Sequence, residues 1–117
     1  MYWLNWTKCE GQSWCPFLTV NLAHSHFNGL EGVYVIWHGG TNPKTVYVGQ
    51  GSIRDRLTSH RKEPTILQYS SLGLFVTWAK VDFQYRSGIE KYLADILMPL
   101  QGVRHPQGGA VPVNLPW

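Results

Sequence analysis

The stretch that decides the fold is GVYVIWHGGTNPKTVYVGQG, residues 32–51. Its first part alternates between two sets of side chains, as expected of a β-strand that packs on both faces. One set is Val33, Val35 and Trp37, and the other is Tyr34, Ile36 and His38. The turn-forming residues HGGTNPK follow, and TVYVG then resumes an extended pattern. The stretch therefore predicts a β-hairpin whose loop is longer than the tightest kind.

Two tyrosines stand in mirrored tripeptides, GVY at 32–34 and YVG at 47–49, towards the two ends of this hairpin. Simple alternation on the second strand puts Val46 and Val48 on one face and Tyr47 on the other. With a suitable register, the hairpin brings Tyr34 and Tyr47 to the same face of the sheet.

The residues after the hairpin predict two helices and a strand. Ser52, with Asp55 three residues later, resembles a helix capping box, and Ile53 begins an apolar stripe. Pro64 suits the first turn of a second, short helix, PTILQYSSL. The run LFVTWAKV, residues 74–81, is apolar on both faces, which is typical of a central strand.

A last helix is predicted by Ser87 and Glu90, which form an S-x-x-E capping box, and Pro99 ends it. Its apolar stripe consists of Ile89, Leu93, Ile96 and Leu100. The run PFLTVNL near the amino terminus favours a further strand, and the tail HPQGGAVPVNLPW favours a loop. This order of elements indicates an α/β or α+β fold built on a small, largely antiparallel sheet.

Composition limits the class of protein. The chain has 117 residues, of which 44% are hydrophobic and 15% charged, so it has enough apolar residues for one folded domain. No apolar run approaches the roughly 18 residues that span a bilayer. The amino terminus MYWLNWTKCE has neither a basic n-region nor an apolar h-region. We therefore expect a cytoplasmic protein that makes no use of a membrane.

Basic residues are concentrated in one place. The formal net charge of +3 and the pI of about 9.0 favour a polyanionic partner only weakly. The densest basic stretch is more informative, and it contains Arg54, Arg56, His60, Arg61 and Lys62. This stretch, on a predicted helix, is the part of the chain that we expect to contact nucleic acid.

The two cysteines and two of the histidines form the pattern C-x5-C-x8-H-x-H, with Cys9, Cys15, His24 and His26. These ligand types suit zinc, but the spacing matches none of the usual zinc knuckles. We predict buried thiols that pack as small hydrophobic groups, and no disulfide in a reducing compartment. Zinc binding at these residues remains the alternative.

Four polar groups of the predicted fold can line one cleft. Arg56 and His60, four residues apart, lie on one face of their helix, and the two tyrosines share a face of the hairpin. Phosphodiester hydrolysis needs a group that takes a proton from water, a cation on the phosphate, and usually a metal held by a carboxylate. Tyrosine, histidine, arginine and glutamate supply these groups, although each residue also suits a purely structural role.

The order of these motifs resembles the GIY-YIG nuclease domain. The likeness runs from GVY through YVG, SIRDRLTSH and Glu90 to Asn114, and spans residues 31–117, about three quarters of the chain. It implies a three-stranded antiparallel sheet flanked by helices, and an endonuclease that hydrolyses DNA with one Mg²⁺ or Mn²⁺ per site. Residues 1–30 would then be an aromatic-rich extension packed on the nuclease domain.

The resemblance also implies a role for each motif residue. Tyr34 would be the general base, helped by His60, and Tyr47 would orient the water or a phosphate oxygen. Arg56 would stabilise the phosphate as charge develops. Glu90 would bind the metal, and Asn114 would tie the tail to the site. For DNA binding outside the catalytic residues, we predict Arg54, Arg61 and Lys62.

This chain departs from the family pattern in several respects. Valine replaces isoleucine in both tripeptides, twelve residues separate the two tyrosines, and Arg54 competes with Arg56 for the catalytic position. We prefer Arg56 because His60 lies four residues after it. No separate DNA-recognition domain is visible, so specificity would come from the amino-terminal residues, a homodimer or a specificity partner. The alternative function is a non-catalytic nucleic-acid-binding module that keeps the GIY-YIG fold.

Overall fold

The hairpin of residues 32–51 forms two neighbouring strands of a four-stranded sheet in the computed structural model, which describes residues 1–102 and 108–117. The strands are β1 (Cys15–Pro16), β2 (Glu31–His38), β3 (Lys44–Ser52) and β4 (Leu74–Lys80). The α-helices of the described residues are α1 (Ile53–His60), α2 (Pro64–Leu67) and α3 (Phe83–Leu97). Short 3₁₀ turns occur at Glu10–Gln12, Ser25–Phe27 and Ser70–Leu72.

The strand order is β1-β4-β2-β3, and every pairing is antiparallel. The expected α+β architecture is therefore present, but the sheet has four strands rather than three. The additional strand is β1, which pairs Cys15 with Val76 and Pro16 with Phe75. The predicted strand PFLTVNL does not form, because the chain turns after Pro16, whose carbonyl accepts a hydrogen bond from the N–H of Val20 at 3.0 Å.

The hairpin contains an irregularity that alternation did not predict. Ile36 pairs with Tyr47, but the next residue of β2, Trp37, pairs with Thr45, so Val46 is an extra residue of β3. Val46 consequently packs on the same face as Ile36, whereas Val48 packs on the opposite face. The expectation that Val46 and Val48 share a face is wrong for this reason.

The sheet carries an apolar cluster on each face. Helices α1 and α2 contribute to the first cluster, which includes Phe17, Tyr34, Ile36, Val46, Ile53, Leu57, Ile66 and Trp78. Helix α3 contributes to the second, which includes Leu4, Val33, Val35, Val48, Ala79, Ile89, Leu93 and Val113. Tyr34 thus lies on the face covered by α1, and β3 is the edge strand next to it.

Helix α1 begins as predicted, because the Ser52 hydroxyl accepts a hydrogen bond from the Asp55 N–H at 3.3 Å. Helix α3 does not begin at Ser87. It begins at Phe83 with Asp82 in the N-cap position, so Ser87 and Glu90 lie inside the helix and form no capping box. The predicted apolar stripe is also shorter than expected, since Ile96 is 49% exposed and Leu100 41% exposed. The helix ends before Pro99, with Met98 in a left-handed conformation (φ 49°).

A disulfide closes the loop between Cys9 and Cys15, whose Cα atoms are 5.1 Å apart, within the range that a disulfide bridges. The prediction of two free thiols is therefore wrong, and with both sulfurs bonded to each other they offer no thiolate to zinc. Disulfides are typical of oxidising compartments. A cytoplasmic location stays a prediction. No helix of the described residues has the length and apolar character to cross a membrane.

Two arginines bind the amino-terminal segment: Arg54 on α1, and Arg61 directly after this helix. Arg54 donates hydrogen bonds to the Leu22 carbonyl at 2.7 Å, the His24 carbonyl at 3.0 Å and Asn28 Oδ1 at 2.8 Å. Arg61 donates to the carbonyls of Phe17 and Val20. The amino-terminal segment is therefore bound to the helix that carries His60.

Reducing the Cys9–Cys15 disulfide should lower the free energy of unfolding by about 2 kcal/mol, because the open chain regains loop entropy in the unfolded state. We expect the same loss in the double variant Cys9→Ser/Cys15→Ser. Urea unfolding of oxidised and reduced protein measures the difference, and reductant should leave the stability of the double variant unchanged. Titration of two free thiols in purified, unreduced protein would show that the disulfide is absent.

Candidate active site

A buried hydrogen bond between Tyr34 and His60 lies at the centre of the site. Oη of Tyr34 is 2.6 Å from Nε2 of His60, and Nε of Arg56 donates a hydrogen bond to the same oxygen at 3.3 Å. Tyr34 is on the central strand β2, and both partners are on α1. Because Arg56 and His60 are four residues apart, both side chains extend from the helix face that packs on the sheet.

Tyr47 completes an aromatic group on this face. Its ring is stacked on that of Tyr34, with centroids 6.2 Å apart and an interplanar angle of 13°. Its centroid is also 4.5 Å from that of His60, and its hydroxyl interacts with the Arg56 guanidinium. Tyr47 is half-buried, whereas Tyr34 has no exposed surface. The structure therefore brings together Tyr34, Tyr47, Arg56 and His60.

The glycines of the mirrored tripeptides both permit close approach. Gly49 pairs with Tyr34 across the hairpin, and a Cβ at Gly49 would lie 2.5 Å from Cζ of the Tyr34 ring. The tyrosine ring therefore occupies the space that a side chain on β3 would fill. A Cβ at Gly32 would lie 2.9 Å from backbone atoms of Ala79 and Val81, so this glycine allows β4 to approach β2.

Burial controls the protonation of the central pair. Burial raises the pKa of Tyr34 well above its ordinary value, although the Arg56 guanidinium opposes the shift. Burial also lowers the pKa of His60, an effect that Glu63 opposes and that the charge of Arg56 reinforces. At neutral pH the tyrosine is therefore a neutral hydroxyl and the histidine a neutral imidazole. The hydroxyl can donate its proton only to an unprotonated Nε2.

Glu63 is part of this cluster, and the sequence analysis missed it. Its Oε2 lies 3.1 Å from Nδ1 of His60, which is an electrostatic contact, because Nδ1 makes no hydrogen bond of acceptable geometry within the described residues. The sequence signal was the spacing of three residues between His60 and Glu63. That spacing is common on solvated helix faces and is uninformative without knowledge that the histidine is buried.

Glu90 lies on α3, which packs on the other face of the sheet. The helix packs its Ile89 and Leu93 side chains on the second apolar cluster, yet the negative charge of Glu90 contributes to the raised pKa of Tyr34. The Ser87 hydroxyl accepts a hydrogen bond from Nε2 of Gln50 at 3.2 Å, which joins α3 to the edge strand. The half-buried Glu90 carboxylate is thus within electrostatic reach of the tyrosine hydroxyl.

The residues around Tyr34 suit a hard, partly hydrated cation better than a metal held entirely by protein. Among residues 1–102 and 108–117, no three His, Cys, Asp or Glu side chains are grouped so that they could hold a metal. Mg²⁺ commonly binds through one or two carboxylates, with water and substrate phosphate as its other ligands. Glu90 would supply such a carboxylate, and binding of Mg²⁺ or Mn²⁺ there stays a prediction.

Asn114 is placed differently from the prediction. Its Oδ1 accepts a hydrogen bond from the Leu4 N–H at 2.6 Å, and its Nδ2 donates to the Leu4 carbonyl at 2.9 Å. Both functional atoms of the side chain are therefore used to join the tail to the amino-terminal segment. Leu4 belongs to the second apolar cluster, on the face opposite Tyr34. The structure does not bring Asn114 into contact with the tyrosines.

The predicted DNA-binding residues differ in their availability. The guanidinium groups of Arg54 and Arg61 bind backbone carbonyls of the amino-terminal segment, while Lys62 is exposed. Arg56 is also exposed, and its bond to Tyr34 uses Nε alone. A DNA-binding role for Arg54, Arg61 and Lys62 stays a prediction, and Arg56 is the arginine positioned at the tyrosine pair.

Comparison with models of protein families, with curated proteins and with solved structures yields no match to this chain.

Replacing Gly49 with alanine should disrupt the site. The added methyl group would overlap the Tyr34 ring, and the displaced ring would lose its hydrogen bond to His60. We expect Gly49→Ala to lower the free energy of unfolding by roughly 1–3 kcal/mol, as overpacking does. Gly109→Ala is the matched control, because a Cβ there meets no atom within 4 Å. Equal urea midpoints for the two variants would contradict the close packing.

Proposed function

We propose that this chain is a metal-dependent DNA endonuclease of the GIY-YIG type, which hydrolyses phosphodiester bonds. The observation that supports the proposal best is the hydrogen-bonded group formed by Tyr34, His60 and Arg56, with the charge of Glu90 acting on the tyrosine. It combines a proton acceptor, a cation and a metal-binding carboxylate, which are the groups required for phosphodiester hydrolysis.

The raised pKa of Tyr34 determines how it can act as a base. Because burial disfavours the charged phenolate, Tyr34 is protonated at neutral pH before the reaction begins. In the proposed reaction Tyr34 takes a proton from the attacking water while its own hydroxyl proton moves to Nε2 of His60. The O–H bond of water breaks, the N–H bond of His60 forms, and the phenol is regenerated. His60 is thus the final acceptor of the proton.

Arg56 controls access to the tyrosine. Its Nε bonds to Tyr34 Oη, and Tyr34 has no exposed surface, so the side chains that cover the hydroxyl, Arg56 among them, must move before water reaches it. A substrate phosphate supplies a stronger partner for the guanidinium than a neutral phenol does. Phosphate binding therefore draws Arg56 from the hydroxyl and places its positive charge where negative charge develops in the transition state.

Tyr47 and Glu90 complete the proposed machinery. Tyr47 is half-buried beside Tyr34 and Arg56, and its hydroxyl would orient the water or a phosphate oxygen. Glu90 would hold one Mg²⁺ or Mn²⁺. When bound, such a cation lowers the barrier by neutralising charge on the phosphate oxygens.

The alternative, a non-catalytic nucleic-acid-binding module, is less well supported. A module that only binds DNA needs accessible cations, and in this basic stretch Arg54 and Arg61 are used within the fold, which leaves Arg56 and Lys62 exposed. Binding DNA alone also provides no reason to bury the Tyr34 hydroxyl against the His60 imidazole. Phenylalanine at position 34 would fill the same space without the cost of desolvating a hydroxyl. The buried Tyr34–His60 pair therefore favours the enzyme.

Arg56→Ala should reduce cleavage by about 100- to 1,000-fold while much of the DNA affinity remains, because a cation aimed at developing charge acts mainly in the transition state. Arg54→Ala is the comparison. It removes bonds to the amino-terminal segment and a predicted DNA-binding cation, so we expect a lower melting temperature and weaker DNA binding, but near-normal cleavage at saturating DNA below that temperature. Plasmid nicking with magnesium and fluorescence anisotropy measure cleavage and binding. Normal cleavage by Arg56→Ala would exclude its proposed role.

Glu90→Gln should abolish metal-dependent cleavage while the protein remains folded. Glutamine keeps the size of the side chain but lacks the anionic oxygen that a hard cation requires. In the wild type, Mn²⁺ should broaden the NMR signals of Tyr34 and its neighbours, and in the variant this broadening should disappear. Glu10→Gln, a change at an exposed carboxylate, should have no such effect. A folded Glu90→Gln protein that cuts at the wild-type rate would show that the metal ligand lies elsewhere.

A further inference from the structure

The two ring nitrogens of His60 have different surroundings. The histidine is 1% exposed, and its Nε2 is 2.6 Å from the Tyr34 hydroxyl. Its Nδ1 is 3.1 Å from the carboxylate of Glu63, whose side chain is 42% exposed. The imidazole therefore lies between a buried phenol and a carboxylate at the surface.

These surroundings select one tautomer of the neutral ring. A neutral imidazole has one N–H group and one bare nitrogen. A bare Nδ1 beside the carboxylate would place a lone pair against a negative charge, whereas a protonated Nδ1 is attracted to it. The favoured tautomer thus has its proton on Nδ1 and its lone pair on Nε2. That lone pair is what the Tyr34 hydroxyl needs as a proton acceptor.

The position of Glu63 in the chain leaves its carboxylate available for this contact. Glu63 is the N-cap residue of α2, where a carboxylate commonly accepts a hydrogen bond from the first turn of the helix. Its side chain makes no such capping bond. The carboxylate instead lies beside the ring of His60, three residues earlier.

The charged and titratable groups around His60 act in opposite directions. From the sheet, the Tyr34 hydroxyl bonds to the ring and the Tyr47 ring packs against it. From its own helix, Arg56 disfavours the imidazolium, whereas Glu63 favours it. Among the described residues that act on His60, Glu63 is thus the one whose charge stabilises the ring after it has accepted a proton.

We propose that Glu63 is a positioning residue for the reaction described above, holding His60 in the tautomer that presents a bare Nε2 to Tyr34 and stabilising the imidazolium that forms. The inference depends on the proposed nuclease function. In this role Glu63 acts on the reaction only through His60. The three residues form a proton relay in which Tyr34 passes the proton of water to His60 and Glu63 balances the resulting positive charge.

The test is Glu63→Gln, with Glu10→Gln as the matched control at an exposed glutamate. Removing the negative charge lowers the pKa of His60 further, because one of the interactions that raise it is lost. His60 must be neutral to accept a proton, so the acid limb of the pH–rate profile should move to lower pH. On the plateau, kcat should fall about 10- to 100-fold, as it does when a group that orients a catalytic residue is removed, and KM should change little.

A second measurement does not require nuclease activity. Proton–nitrogen correlation NMR of the imidazole reports the protonation of each ring nitrogen, with the His60 signals assigned by their loss in His60→Gln. We expect Nδ1 to carry the proton in the wild type, and the pKa of His60 to be lower in Glu63→Gln than in Glu10→Gln. A lower rate with an unmoved acid limb and an unchanged pKa of His60 would indicate only structural damage and would overturn the proposal.

The two measurements separate the failure of this inference from the failure of the nuclease function. A wild-type protein that fails to cut DNA with either cation, but shows the expected tautomer and pKa change, would overturn the nuclease and retain the coupling of Glu63 to His60. An active wild type whose Nε2 carries the proton would overturn the role of Glu63 and leave the nuclease in place.

Discussion

The hydrogen bond between Tyr34 and His60 constrains the rest of the structure. It joins the central strand to the last residue of α1 inside an apolar cluster, where an unpartnered hydroxyl or imidazole costs about 1–3 kcal/mol. Each group is therefore tolerated because the other is present. The pair sets the position of α1 on the sheet and requires that the residue opposite Tyr34 have no side chain, which is the requirement that Gly49 meets.

Much of the fold follows from local patterns, and the errors have specific physical causes. The hairpin, the Ser52 cap and strand β4 were predicted because alternation and capping are local properties of the chain. The extra residue at Val46 was missed because a bulge depends on pairing between strands, which a single strand's pattern does not contain. Ser87 was predicted to cap α3, but the helix begins about one turn earlier, at Phe83, with Asp82 in the N-cap position.

Those site residues whose positions depend on spacing along one helix could be predicted from the sequence. Arg56 and His60 were selected by their separation of four residues, and the structure places both against Tyr34. The other basic residues could not be sorted in this way, because the partners of Arg54 and Arg61 lie more than twenty residues earlier in the sequence. The bonds of Asn114 could not be predicted for the same reason, since its partner Leu4 is 110 residues earlier in the sequence. We predicted no disulfide because we expected a reducing compartment, and the spacing of the cysteines does not reveal the compartment.

The edge position of β3 explains how groups from both sides of the sheet act on one hydroxyl. Tyr34, Arg56 and His60 belong to the face covered by α1, whereas Glu90 belongs to a helix packed on the opposite face. In the interior of a sheet, a layer of backbone and side chains would separate them. Here β3 is the last strand, so Tyr34 on β2 lies one strand from the edge of the sheet, and the negative charge of Glu90 is among the contributions that raise its pKa. In the proposed nuclease, a polyanionic substrate would approach through the exposed Arg56, whose bond to Tyr34 Oη puts it beside the proposed base.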